Sequence, residues 1–179
     1  MIDKNSVYFR YIICGFILLI AGIINFNPSF IIKIHGSYPN LLLILLIVFA
    51  AFEHAVAGAF FGLFAGVLHD LSVTNGNGIH AVLYMLTGFI IGFLYQFLLQ
   101  NNILSLIITA LSVLVLTSVI DWSIKTAYYG GNIYSASFHQ YFYSAVYSFV
   151  LLILVYYIFK ITLKKKRTSY FIRANKEKA

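Results

Sequence analysis

Charge is scarce in this chain. Only 9% of its residues are Asp, Glu, Lys or Arg, against 61% hydrophobic, and the mean hydropathy is +0.91. A soluble domain needs more charge than this to cover its surface, so the composition points to an integral membrane protein one domain long. Cysteine is almost missing. The single Cys14 excludes an intrachain disulfide and lies inside the first apolar run, where it says little about redox compartment. Proline is nearly absent too: Pro28 and Pro39 both fall in one connecting stretch, leaving the apolar runs free of helix breakers. Catalytic signatures are lacking as well. There is no Gly-x-Ser-x-Gly elbow, phosphate loop or Ser-His pair at membrane depth, so neither an enzyme nor a cofactor is expected.

The charge that is present is unevenly placed. Of the twelve lysines and arginines, Lys33 and Lys125 alone lie away from the chain ends. Basic residues beside short loops stay on the cytoplasmic side, so both termini are expected there, and the number of crossings must be even. A net charge of +7 raises nucleic acid as a partner, but most of it sits in the tail after Lys160, where a hydrophobic run ends. Anionic lipid is the nearer partner, with Lys164, Lys165, Lys166 and Arg167 as a membrane-surface anchor, each basic group contributing about 1 kcal/mol near an anionic leaflet.

Six apolar segments follow in order. The first runs from Tyr11 to Phe26 behind a polar, basic start; no small-residue cleavage site follows it, which favours a retained crossing over a signal peptide. Residues 27–39 read as an outside loop, and the 30–36 patch leaves open a dip into the bilayer. The run 40–52 is short for a crossing, and Glu53-His54 turns it into the segment 54–72. A polar loop with Asn75, Gly76, Asn77 and Gly78 leads to a crossing at 79–99; Gln100, Asn101 and Asn102 lead to another that ends near Asp121 and Trp122. That fifth run carries Ser105, Thr109, Ser112, Thr117 and Ser118, whose hydroxyls can bond back to helix carbonyls. From Lys125 to Gln140 the composition is polar and aromatic, with Tyr128, Tyr129 and Tyr134 suited to the interface, and the last crossing runs to about Leu163. The expected architecture is an all-α bundle of six transmembrane helices over residues 1–163, with a basic cytoplasmic tail at 164–179.

The segment 54–72, HAVAGAFFGLFAGVLHDLS, organises this reading. Gly58, Gly62 and Gly66 recur every four residues, drift only about 40° per step on a helix, and make one nearly side-chain-free stripe. In water each would cost a helix about 1 kcal/mol relative to alanine; in lipid such stripes let helices touch. The segment is therefore expected to be the buried hub of the bundle, with Gly88 and Gly92 as a second stripe facing it.

Asp70 ends this stripe just before a polar loop. Its two readings are a structural role, binding backbone amides or a hydroxyl, and contact with a partner; Asp121 has the same two. His69, Asp70 and His80 together raise a metal site, but their spacing matches no closed zinc pattern. Neighbouring positions such as 69 and 70 also point about 100° apart on a helix, so no metal site is expected.

The stretch from Pro39 to Gly92 resembles the rod shape-determining protein MreD family. The likeness is carried by the Pro-Asn-Leu-Leu-Leu opening, the Glu53-His54 turn, GAFFGLFAGVLHDLS, the Gly78-Ile79-His80-Ala81 return, and Gly88 and Gly92. The resemblance implies a non-enzymatic scaffold of the bacterial cell-elongation machinery, in the cell membrane, serving rod shape and lateral peptidoglycan synthesis. It implies association with MreC, and with MreB, RodA and a class B penicillin-binding protein in the same complex. No catalytic residue transfers; Gly58, Gly62, Gly66, Asp70, Gly88 and Gly92 are implied as helix-packing or partner-binding positions, with a groove for the MreC helix. The family also looks similar to the six-helix substrate-capturing subunits of energy-coupling-factor vitamin transporters, which supply the alternative function. That alternative expects an Ala-x-x-x-Ala motif in the first helix, absent from IICGFILLIAGII, and a pocket from residues such as Tyr84, Asp121, Trp122 and Tyr129.

Overall fold

The computed structural model describes residues 4–27, 37–73, 78–98, 103–129 and 134–163. Among these residues there are six α-helices: α1 (Lys4–Phe26), α2 (Leu41–Phe52), α3 (Ala55–Val73), α4 (Ile79–Phe97), α5 (Ile103–Tyr129) and α6 (Tyr134–Leu163). Four helices, α3 to α6, are each long and apolar enough to cross a membrane. The tail with Lys164, Lys165, Lys166 and Arg167, the patch at 30–36 and the loop at 74–77 lie outside the described residues.

The centre of the bundle is α2. Every residue from Leu42 to Ala51 is buried, and α1, α3, α4 and α6 all pack against it. A helix apolar all the way round must be enclosed on all sides, by protein or by lipid; here protein does it. That corrects the expectation that the glycine segment is the hub. Helix α3 buries its glycine face but leaves Val56, Phe60, Leu63, Phe64, Val67 and Leu71 exposed. It also explains a short run: twelve residues rise only about 18 Å, too little for the hydrocarbon layer but enough inside a collar of longer helices.

The surrounding helices show the pattern of a bundle with apolar surroundings. Helix α1 buries Cys14, Leu18 and Ala21, and α5 buries Leu106, Ala110, Leu114 and Thr117. These positions follow the three- and four-residue steps of one helix face, while the opposite faces carry exposed Ile, Leu, Val and Phe. Hydroxyls on α5 bond back along the helix, with Thr109, Ser112 and Thr117 donating to the carbonyls of Ser105, Ile108 and Val113. Both α5 and α6 extend beyond the apolar runs, to Tyr129 and back to Tyr134. The polar, aromatic composition from Lys125 onward marks a change of surroundings, which a helix can cross without ending.

The two ends of the bundle differ. At one, Phe49 packs on Phe61 and Phe159, Phe52 stacks on Tyr156, and the Lys160 ammonium lies 5.5 Å from the centre of the Tyr156 ring. At the other, hydrogen bonds join Asp70 near the end of α3, His80 at the start of α4 and Asp121 on α5, and beside them Asn40 at the start of α2 bonds Tyr84 on α4. Helices α2 to α5 thus alternate in direction.

Candidate functional site

The site begins as a seam between α3 and α4. A Cβ added at Gly58 would strike the carbonyl of Gly88; at Gly62, the carbonyl of Tyr84 and the Cα of Met85; at Gly66, the carbonyl of His80 and the Cα of Ala81. From the other side, a Cβ at Gly88 would strike the Gly58 carbonyl, and one at Gly92 would come within 2.7 Å of the Ala55 Cα. As α3 advances by four residues, α4 retreats by four, so the stripes meet as an antiparallel pair. Backbone touches backbone along the whole overlap, which only side-chain-free positions permit.

Asp70 closes one end of this seam. Helix α4 starts at Gly78, whose φ of +74° is left-handed and which supplies no side-chain cap. The first amides of a helix need acceptors, and here a carboxylate from the neighbouring helix provides them. The His80 N–H donates to Asp70 Oδ1 at 3.3 Å and the Ala81 N–H to Oδ2 at 2.9 Å. The same Oδ1 lies 2.8 Å from His80 Nδ1, and His80 Nε2 lies 2.8 Å from Asp121 Oδ1. Asp70 is 2% exposed and His80 5%. His69 is buried beside them, its ring centroid 4.4 Å from that of His80 and 5.4 Å from that of Tyr84.

A second hydrogen-bonded group lies beside the first, the Tyr84 and His80 rings meeting edge-on with centroids 5.9 Å apart. Asn40 Nδ2 donates to the Tyr84 hydroxyl at 2.6 Å, its side-chain oxygen accepts from the Leu43 N–H, and its own N–H donates to Ser148 Oγ at 2.9 Å. Tyr84 and Ser148 are fully enclosed. Tyr84 and Asp121, which the transport alternative assigns to a ligand pocket, are therefore bonded to Asn40 and His80.

The five glycines named from sequence lie together in the seam, and Asp70 lies at its end. Sequence reasoning grouped His69, Asp70 and His80; what it missed is that Asp70 caps α4, that Asp121 bonds His80, and that Asn40 and Tyr84 pair beside them. Two signals were available. Gly78 precedes a helix and offers no capping side chain of its own, which leaves the first amides of that helix open to an acceptor from a neighbouring segment. Alternating helices also bring positions 40, 70, 80 and 121 to one end. The 100° between positions 69 and 70 does not keep their side chains apart: one donor atom from each of His69, Asp70 and His80 lies within 4.8 Å of the others.

Among the described residues, fold and site define an all-helical bundle in which four helices are apolar enough to cross a membrane and buried polar groups bond to one another between helices. The family model for rod shape-determining protein MreD matches residues 5–165. The chain belongs to that family, whose members are structural determinants of rod shape. Comparison with curated proteins and with solved structures yields no match.

Proposed function

We propose that this chain is a non-enzymatic scaffold of the bacterial cell-elongation machinery, a multi-pass protein of the cell membrane that associates with an MreC-like protein. Through that partner it works with MreB, RodA and a class B penicillin-binding protein in lateral peptidoglycan synthesis. In this reading all six helices cross, both termini are cytoplasmic, and the basic tail with Lys164, Lys165, Lys166 and Arg167 rests on anionic lipid; the chain meets no nucleic acid. Family membership supports the role in rod shape, and the alternation of α2 to α5 supports the arrangement.

The observation that carries the choice of surface is the closed seam. Gly58, Gly62, Gly66, Gly88 and Gly92 are filled by backbone within the chain, so the glycine face is not the groove for a partner helix. What α4 turns outward is a ladder of exposed phenylalanines, Phe89, Phe93 and Phe97, with successive ring centroids 6.3 Å and 4.9 Å apart. Rigid aromatic rows are favoured anchors at interfaces, and a single-pass MreC helix is the proposed occupant. Co-purification of the MreC-like partner with wild type and with a Phe89→Ala, Phe93→Ala double variant tests this. A loss of recovery of about tenfold, with thermal stability unchanged, is expected; equal recovery removes the ladder as the determinant. Gly62→Leu is a poor probe, because it forces α4 away from α3 before any partner is reached.

A further inference from the structure

His80 is held between two carboxylates. Its Nδ1 is 2.8 Å from Asp70 Oδ1 and its Nε2 is 2.8 Å from Asp121 Oδ1. A neutral imidazole has one N–H and one lone pair. It can donate to only one of these oxygens, and at the other nitrogen a lone pair would face a carboxylate. A positive species has to occupy that contact, either one more proton or a metal ion.

The surroundings distinguish the two nitrogens. Nδ1 faces Asp70, and His69 converges on that pair, since His69, Asp70 and His80 each offer one atom within 4.8 Å of the others. All three residues are buried. Ligand atoms bound to zinc at about 2.0–2.1 Å in a tetrahedron stand about 3.3 Å apart, so an ion is seated by small shifts that open the 2.8 Å Asp70–His80 contact and draw His69 inward. Two imidazoles and a carboxylate form a donor set suited to zinc-like divalent ions. On the Nε2 side, Asp121 stands where the outer carboxylate behind a metal-bound histidine commonly stands, accepting the remaining N–H and fixing the tautomer.

We propose that His69, Asp70 and His80 bind a divalent transition-metal ion of the zinc type, with Asp121 as the positioning residue that turns His80 Nδ1 toward it. The ion ties the end of α3 to the start of α4, and through Asp121 to α5. Three protein ligands leave a fourth coordination position for water.

The test uses the full chain in detergent micelles, stripped with chelator and titrated with Co²⁺ and then Zn²⁺. One equivalent of Co²⁺ with the visible absorption of a four-coordinate site is expected, displaced by Zn²⁺. His69→Ala and His80→Ala abolish that absorption, while Asp121→Asn keeps the one-to-one stoichiometry and weakens Zn²⁺ binding about 10–100-fold. Circular dichroism and gel filtration identify variants that fail to fold; if the histidine variants do, the Asp121→Asn affinity decides. Absence of Co²⁺ or Zn²⁺ uptake by wild type at micromolar concentrations overturns the proposal and leaves a proton at the contact. Unchanged affinity in folded His69→Ala or in Asp121→Asn overturns it as well.

Discussion

Two glycines of the same type and helical setting are expected to respond in opposite directions. Around Gly62 a methyl group has no room, because what it meets is the backbone at Tyr84 and Met85, and backbone cannot swing aside. Gly62→Ala should therefore destabilise by about 1–3 kcal/mol, the usual range for overpacking. Around Gly15 nothing lies within 4 Å, so Gly15→Ala should gain about 0.5–1 kcal/mol from better helix propensity. Thermal unfolding of the purified protein in detergent reads both, and equal shifts would show that the α3–α4 seam is looser than described. Asp70 provides a second contrast. Asp70→Ala strips acceptors from the His80 and Ala81 amides and should cost about 1–3 kcal/mol, as expected for buried groups left unpaired. Asp70→Asn keeps one acceptor oxygen and should recover part of that loss.

At the scale of the helix, the placement of α2 predicts how the protein meets lipid. A membrane-soluble carbene reagent should label exposed Phe60 and Phe64 on α3 and Phe89 and Phe93 on α4, and leave Leu42 to Ala51 unmodified; labelling of α2 would contradict its enclosure. Much of this level was legible beforehand. Six apolar runs became six helices among the described residues, and the four-residue spacing of the glycines marked one face, because periodicity is a property of the helix alone. Which helix sits in the middle was not legible. In water a buried face shows as apolar against polar, but in lipid both faces are apolar, and the Leu-rich run of α2 reads the same whether it faces acyl chains or side chains. Composition also misjudged where α5 ends and α6 begins, since the polar stretch after Lys125 marks a boundary of the surroundings. The polar cluster stayed hidden for another reason. Asn40, Asp70, His80 and Asp121 are spread over four helices, and only their packing brings them together.

Taken whole, the molecule has a close α3–α4 pair packed on the enclosed α2, with α6 also on α2 and α5 on α6. Reporter fusions at each terminus should place both ends in the cytoplasm, following six alternating crossings; opposite placement would require one of the six to stop short. The α3–α4 pair is the most closely packed part. Where two main chains rest on each other there is no rotamer to flip and no intermediate setting into which one helix can slide. A shift along the seam would have to clear a full turn at once. Any strain arriving from a bound neighbour must then pass through this pair as through a splint, tilting it as one piece, and the give must come at α5 and α6. Spin labels placed on the outer faces of α3 and α4 should keep one narrow distance with and without the proposed MreC-like partner, while a label on α5 changes its distance to both.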